Sequence, residues 1–74
     1  MIKLICENTA RILKNKRKIE KKLKVKIMIQ YQEIYIEGES ENEYIAEKII
    51  EALDFGFPYS IAMLLEDIDN TFEI

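Results

Sequence analysis

Lys24-Val25-Lys26-Ile27-Met28-Ile29-Gln30-Tyr31-Gln32-Glu33-Ile34-Tyr35-Ile36-Glu37-Gly38 is the stretch on which the fold turns. Its first half alternates with period two: Val25, Ile27 and Ile29 share one side, and Lys24, Lys26, Met28 and Gln30 share the other. Beyond a turn near Tyr31–Gln32 the alternation resumes, with Ile34 and Ile36 inward and Tyr35 outward, and Gly38 ends the run. Two β-rich runs joined by so short a turn predict a β-hairpin, Val25–Gln30 against Glu33–Glu37.

On the C-terminal side, Ser40 followed by Glu43 is the spacing of a capping box and opens a helix. Ile45, Ile49, Ile50 and Leu53 recur along it at helical spacing, and Gly56 stands where a C-terminal cap belongs. Pro58 favours the first turn of a further helix, Tyr59–Asp67, and Thr71–Ile74 could add a short strand. On the N-terminal side, Met1–Cys6 reads as a strand with Ile2, Leu4 and Cys6 on one face, and Asn8 or Thr9 can cap a helix after it. From there to Leu23 the composition is helical, with Ile12, Ile19 and Leu23 on one side. Positions 15 and 16, which should continue that stripe, are Asn and Lys. One lysine-rich helix is possible, but two short helices separated by a basic turn at Lys14–Arg17 fit the break better. The expected fold is α+β: a three-stranded sheet in which Val25–Gln30 pairs with Glu33–Glu37 and with the N-terminal strand, covered by helices on one face.

A chain of 74 residues makes one small domain, and 49% hydrophobic residues with two Gly and one Pro belong to an ordered globular chain. The single Cys6 cannot form an internal disulfide, and in an apolar strand its thiol is an inert core side chain. No apolar run approaches the roughly 20 residues that span a bilayer, and no signal peptide is visible, so the expectation is a cytoplasmic protein without membrane contact. The net charge of −3 hides a steep division. Residues 1–26 hold ten of the eleven basic residues against Glu7 and Glu20 alone, while residues 27–74 hold Lys48 against twelve carboxylates. Such a split predicts one basic surface able to meet phosphates, whatever the isoelectric point.

Enzymatic chemistry has little to work with. There is no histidine, no Gly-rich phosphate loop and no cofactor motif. The run Glu66-Asp67-Ile68-Asp69-Asn70-Thr71 lacks the glycine and the distal bidentate Glu of a calcium loop, so solubilising acids account for it better.

The order β-α-α-β-β-α with an appended helix is that of a type I KH domain, a module for single-stranded RNA. Ala46-Glu47-Lys48-Ile49-Ile50-Glu51-Ala52-Leu53, then Phe55-Gly56-Phe57, then an Ala62-centred helix to Leu65 and the stretch Asp67–Phe72 make the match more specific. Together they resemble the end of the first KH domain in the tandem-KH small-subunit ribosome-assembly factors of archaea and eukaryotes. The resemblance covers most of residues 1–74, strongest from 44 to 74, with residues 1–55 as the KH core and 56–74 as a C-terminal extension. It implies a ribonucleoprotein role with rRNA as partner. The chain departs from the KH pattern at the Gly-x-x-Gly loop, since no glycine stands between Met1 and Glu37. Lys14-Asn15-Lys16-Arg17 falls in that place, which forfeits close backbone approach and leaves flexible positive charge.

The candidate RNA-binding residues are therefore Arg11, Lys14, Asn15, Lys16, Arg17, Lys18, Lys21 and Lys22. Only Arg11 and Arg17 could form bidentate forks, so sequence discrimination should be weak. Tyr35 is the one aromatic placed for base stacking, and Phe55, Phe57 and Phe72 are expected to pin the appended helix onto the core. A second reading makes the acidic, Phe-rich C-terminal half a protein-docking surface. Exposure of Phe57, Tyr59 and Phe72 would favour it; a lysine face with those rings buried would favour RNA.

Overall fold

The computed structural model describes residues 1–64. The alternating stretch forms β2 (Lys26–Gln30) and β3 (Glu33–Glu37), joined through Tyr31 and Gln32 with Gln30 opposite Glu33. Tyr31 takes φ 56°, a left-handed conformation usually left to Gly or Asn, because a two-residue loop needs it to match the strand twist. Val25 lies just outside the strand but is buried. Gly38 follows β3 so closely that a Cβ there would meet Val25 Cγ1 at 2.9 Å.

β1 (Ile2–Ile5) pairs antiparallel with β3, with Ile2 opposite Ile36 and Leu4 opposite Ile34, so the sheet order is β1-β3-β2. The expected pairing of Val25–Gln30 with the N-terminal strand is thus corrected: β3 lies between them. Period two assigns faces, not neighbours; the sign of centrality is that Ile34 and Ile36 are both fully buried. Ile2, Leu4, Ile27, Ile29, Ile34 and Ile36 share the covered face, while Lys3, Ile5, Met28 and Gln30 stand on the open one.

Between β1 and β2 runs one continuous helix, α1 (Thr9–Leu23), where two short helices and a basic turn were the better expectation. The described order is therefore β-α-β-β-α-α. Asn15 explains the difference. It occupies the stripe with Ile12, Ile19 and Leu23, is buried, and its amide Nδ2 donates to the Arg11 carbonyl one turn back at 2.9 Å. A polar side chain satisfied by its own helix can sit in an apolar stripe without ending it. Lys24 ends α1 instead, in a left-handed conformation at φ 55°.

α2 (Ser40–Phe55) buries Ala46, Ile49, Ile50 and Leu53 against α1, β1 and β3. Its start is displaced by one residue from the expected capping box. Glu39 is the cap, and Glu43 reaches back to accept from the Gly38 N–H at 2.9 Å, a bond that holds its carboxyl below its ordinary pKa. Gly56 closes α2 as expected, at φ 124°, donating to the Ala52 and Leu53 carbonyls. α3 (Tyr59–Ala62) follows Pro58 and passes into a turn at Met63–Leu64. The remainder of the helix expected to reach Asp67, the strand at Thr71–Ile74, Phe72 and the acidic run from Glu66 lie outside the described residues.

Among the described residues the largest fully buried side chains, between the sheet and the two long helices, are Ile12, Ile19, Ile27, Ile34, Ile36, Ile49, Ile50 and Leu53. At about 1.5–3 kcal/mol each relative to exposure, they dominate what holds the domain together.

Candidate functional site

Because α1 is one rigid helix, its basic residues are sorted by angle at about 100° per residue. With Ile12, Asn15, Ile19 and Leu23 turned inward, Lys14, Arg17 and Lys21 fall on the opposite side, at spacings of three and four. Seven residues separate Lys14 from Lys21, about 10 Å along the axis. Arg11, Lys18 and Lys22 are also exposed but lie toward one flank, and half-buried Lys16 toward the other. Asn15 is buried with its amide given to the Arg11 carbonyl, and it comes to the surface only in the lining of a cleft shared with Arg11, Lys14 and Lys18.

The only carboxylate in α1 is directed away from this surface. Glu20 accepts from the Ile27 N–H at 2.9 Å, sealing part of the outer edge of β2. Outside α1, Lys3 pairs with Glu33 at 2.9 Å, and Lys48 lies 3.9 Å from Glu51 and 4.0 Å from Glu47, while Lys24 and Lys26 are exposed without an ion pair among the described residues. Lys14, Arg17 and Lys21 have no such partner among the described residues. α1 thus presents a row of unmatched cations on a fixed rod, in place of the flexible loop expected.

Arg11 and Lys18 are held by the other end of the chain. The Arg11 guanidinium donates through Nη1 to the carbonyls of Gly56 at 2.8 Å and Phe57 at 3.3 Å, and the Lys18 ammonium stands 5.2 Å from the Tyr59 ring centroid. The junction is tightened by Asp54, whose Oδ1 accepts from the Glu7 and Asn8 N–H groups at 2.8 and 2.7 Å. Its carboxylate therefore sits at the N-terminus of α1, where the helix dipole favours negative charge. These ties join residues some 45 positions apart, and no periodicity or spacing announces them.

The aromatic residues depart most from expectation. Phe55 is 82% exposed and Phe57 45%, the two rings stacked 5.5 Å apart, so neither is the buried pin it was expected to be. Phe55 is the last residue of α2 before the Gly56 cap, and it is Ala62, with half-buried Tyr59 and Met63, that seats α3 on the core. Tyr35, expected as a stacking platform, is half-buried on the open sheet face with the Lys3 ammonium 5.9 Å from its ring centroid.

Burial, and then the nearby Asp54 and Glu51 charges, push the Cys6 thiol up to about 11, far from a nucleophile's range. Among the described residues no cluster of three His, Cys, Asp or Glu side chains could hold a metal ion, and no helix is long and apolar enough to cross a membrane. No family model matches this chain, and no match was found among curated proteins or solved structures.

Proposed function

We propose that this chain is a noncatalytic RNA-associated module that holds phosphates on the outer face of α1. The observation that carries the reading is the row Lys14, Arg17 and Lys21, unmatched by any carboxylate among the described residues while Lys3 and Lys48 are paired. The resemblance of residues 44–74 to a KH domain supports rRNA as the partner, in cytoplasmic small-subunit assembly or on the ribosome itself, while the single helix between β1 and β2 departs from the two-helix KH order. Without a glycine loop, backbone groups cannot close on the nucleotides, and contact is left to side chains. Such binding is driven by counterion release and is nearly blind to sequence.

The test is fluorescence anisotropy on unrelated single-stranded RNAs at several salt concentrations. Three contacts, from Lys14, Arg17 and Lys21, give a slope of log affinity against log salt of about −2.1, at roughly −0.7 per phosphate. Replacing Lys14, Arg17 and Lys21 together by Glu weakens every sequence alike. Absence of RNA binding at about 50 mM salt, or an unweakened triple variant, defeats the reading.

A second reading has an observation of its own. Of the three rings whose exposure would favour protein docking, Phe57 is exposed, Tyr59 is half-buried and Phe72 lies outside the described residues; Phe55, exposed and stacked on Phe57 beside an acidic helix, adds to that surface. It gains the argument if RNA binding fails.

A further inference from the structure

Two of the cations on α1 differ from the outer row in being held in place, and both border the same cleft. Arg11 is fixed by the Gly56 and Phe57 carbonyls, and Lys18 rests over the Tyr59 ring. Lys14 lies one turn from each, and across from all three stand Pro58 and Tyr59. With Ala10 and Asn15 they line an open cleft of about 580 Å³ with no carboxylate in its lining. A guanidinium has five N–H donors, and only those on Nη1 of Arg11 are used by the carbonyls. Donors already fixed in direction lose little entropy when a ligand arrives. Three positive groups around one cleft are balanced better by a dianion than by the single charge of a phosphodiester. A phosphate monoester carries about −1.5 to −2 at pH 7 and offers three acceptor oxygens. The proline and phenol rings opposite are suited to a sugar or base, not to a second charge.

We infer that this cleft receives the phosphate monoester at an RNA end, gripped by Arg11, Lys14 and Lys18, with the terminal nucleotide against Pro58 and Tyr59. The inference rests on the RNA reading above only for the nature of the chain that carries the phosphate.

The experiment compares one short RNA bearing a 5′-phosphate, a 3′-phosphate or hydroxyls at both ends, alongside adenosine monophosphate alone. One of the phosphorylated ends should bind tighter than the hydroxyl form by on the order of tenfold, the worth of one added charge-assisted contact. The arm that gains identifies which end is received. That advantage should vanish in the Lys14→Gln/Lys18→Gln double variant and persist in Lys26→Gln, on the open sheet face, with melting curves confirming that both are folded. Adenosine monophosphate should shift the backbone amide resonances of Arg11, Lys18 and Tyr59. Equal, salt-dependent binding of all three RNAs overturns the cleft and leaves the RNA reading standing. Amide shifts from adenosine monophosphate without binding of any RNA overturn the RNA reading and, with it, the RNA end as the occupant of the cleft. Neither response overturns both.

Discussion

Ile12, Ile19, Ile34, Ile36, Ile49 and Leu53 exclude solvent entirely, whereas from Asp54 to Leu64 only Ala62 is buried. The two regions are held by different forces. The sheet and the long helices close over apolar surface, and their stability follows the area removed from water. The later segment adds directed polar contacts, Asp54 onto the N–H groups of Glu7 and Asn8 and Arg11 onto the carbonyls of Gly56 and Phe57, to the small apolar seat of Ala62, Tyr59 and Met63. A segment of the second kind can leave Phe55 in solvent and Phe57 about half exposed without coming loose, because its position depends only in part on them. Rings that are not needed for packing are available for a partner.

The contrast is broken most directly at its strong end. Ile49→Ala removes a fully buried side chain at the middle of α2 and should cost about 2–5 kcal/mol. For a domain of this size the whole stability is about 4–11 kcal/mol, so the variant should melt at least ~10 °C lower. A shift of only a degree or two would mean the core between sheet and helices is far looser than its burial implies.

At the joint between the regions, Asp54→Ala deprives two backbone N–H groups of their acceptor and the α1 N-terminus of an anion. The expected loss is about 1–2 kcal/mol, read from the urea midpoint at constant slope. A loss equal to that of Ile49→Ala would erase the distinction, making the junction part of the same cooperative body. No loss would mean that the carboxylate does not hold the N-terminus of α1 in solution.

Legibility in the sequence divides along the same line. The hairpin was legible because β-branched residues at period two have one structural meaning, and α2 because Ile45, Ile49, Ile50 and Leu53 repeat at helical spacing. The continuity of α1 was not, since a buried Asn satisfied by the carbonyl four residues back looks on paper like a break. The excess of positive charge was plain in the composition, but its arrangement depended on that helix being whole. Nor did the sequence reveal that Glu20 faces β2 or that Arg11 meets Gly56 and Phe57, because these pairs meet only when the fold brings distant residues together. The phenylalanines misled for a simpler reason. Cores are apolar, but apolar residues are not always in cores.

Phe57→Ala, the smallest change, bears hardest on that last point. Had the ring been fully buried, its loss would cost roughly 3–5 kcal/mol. It is instead 45% exposed, stacked on the more exposed Phe55 and bordering, with Ala52, Ile61 and Ala62, a small apolar cavity of about 180 Å³. What disappears is a partial burial and one ring–ring contact worth about 0.5–1.5 kcal/mol, so a net cost near 1 kcal/mol is expected. That is a drop in melting temperature of about 4–8 °C at this chain length. Binding separates the two functional readings where stability does not. On the phosphate reading Phe57→Ala leaves RNA affinity and its salt slope unchanged, because no cation on the outer face of α1 depends on the ring. On the docking reading the same variant keeps its fold and loses its partner. A stability loss above about 3 kcal/mol would mean that Phe57 is enclosed in solution, and the docking reading would then lose one of the two exposed rings that motivate it.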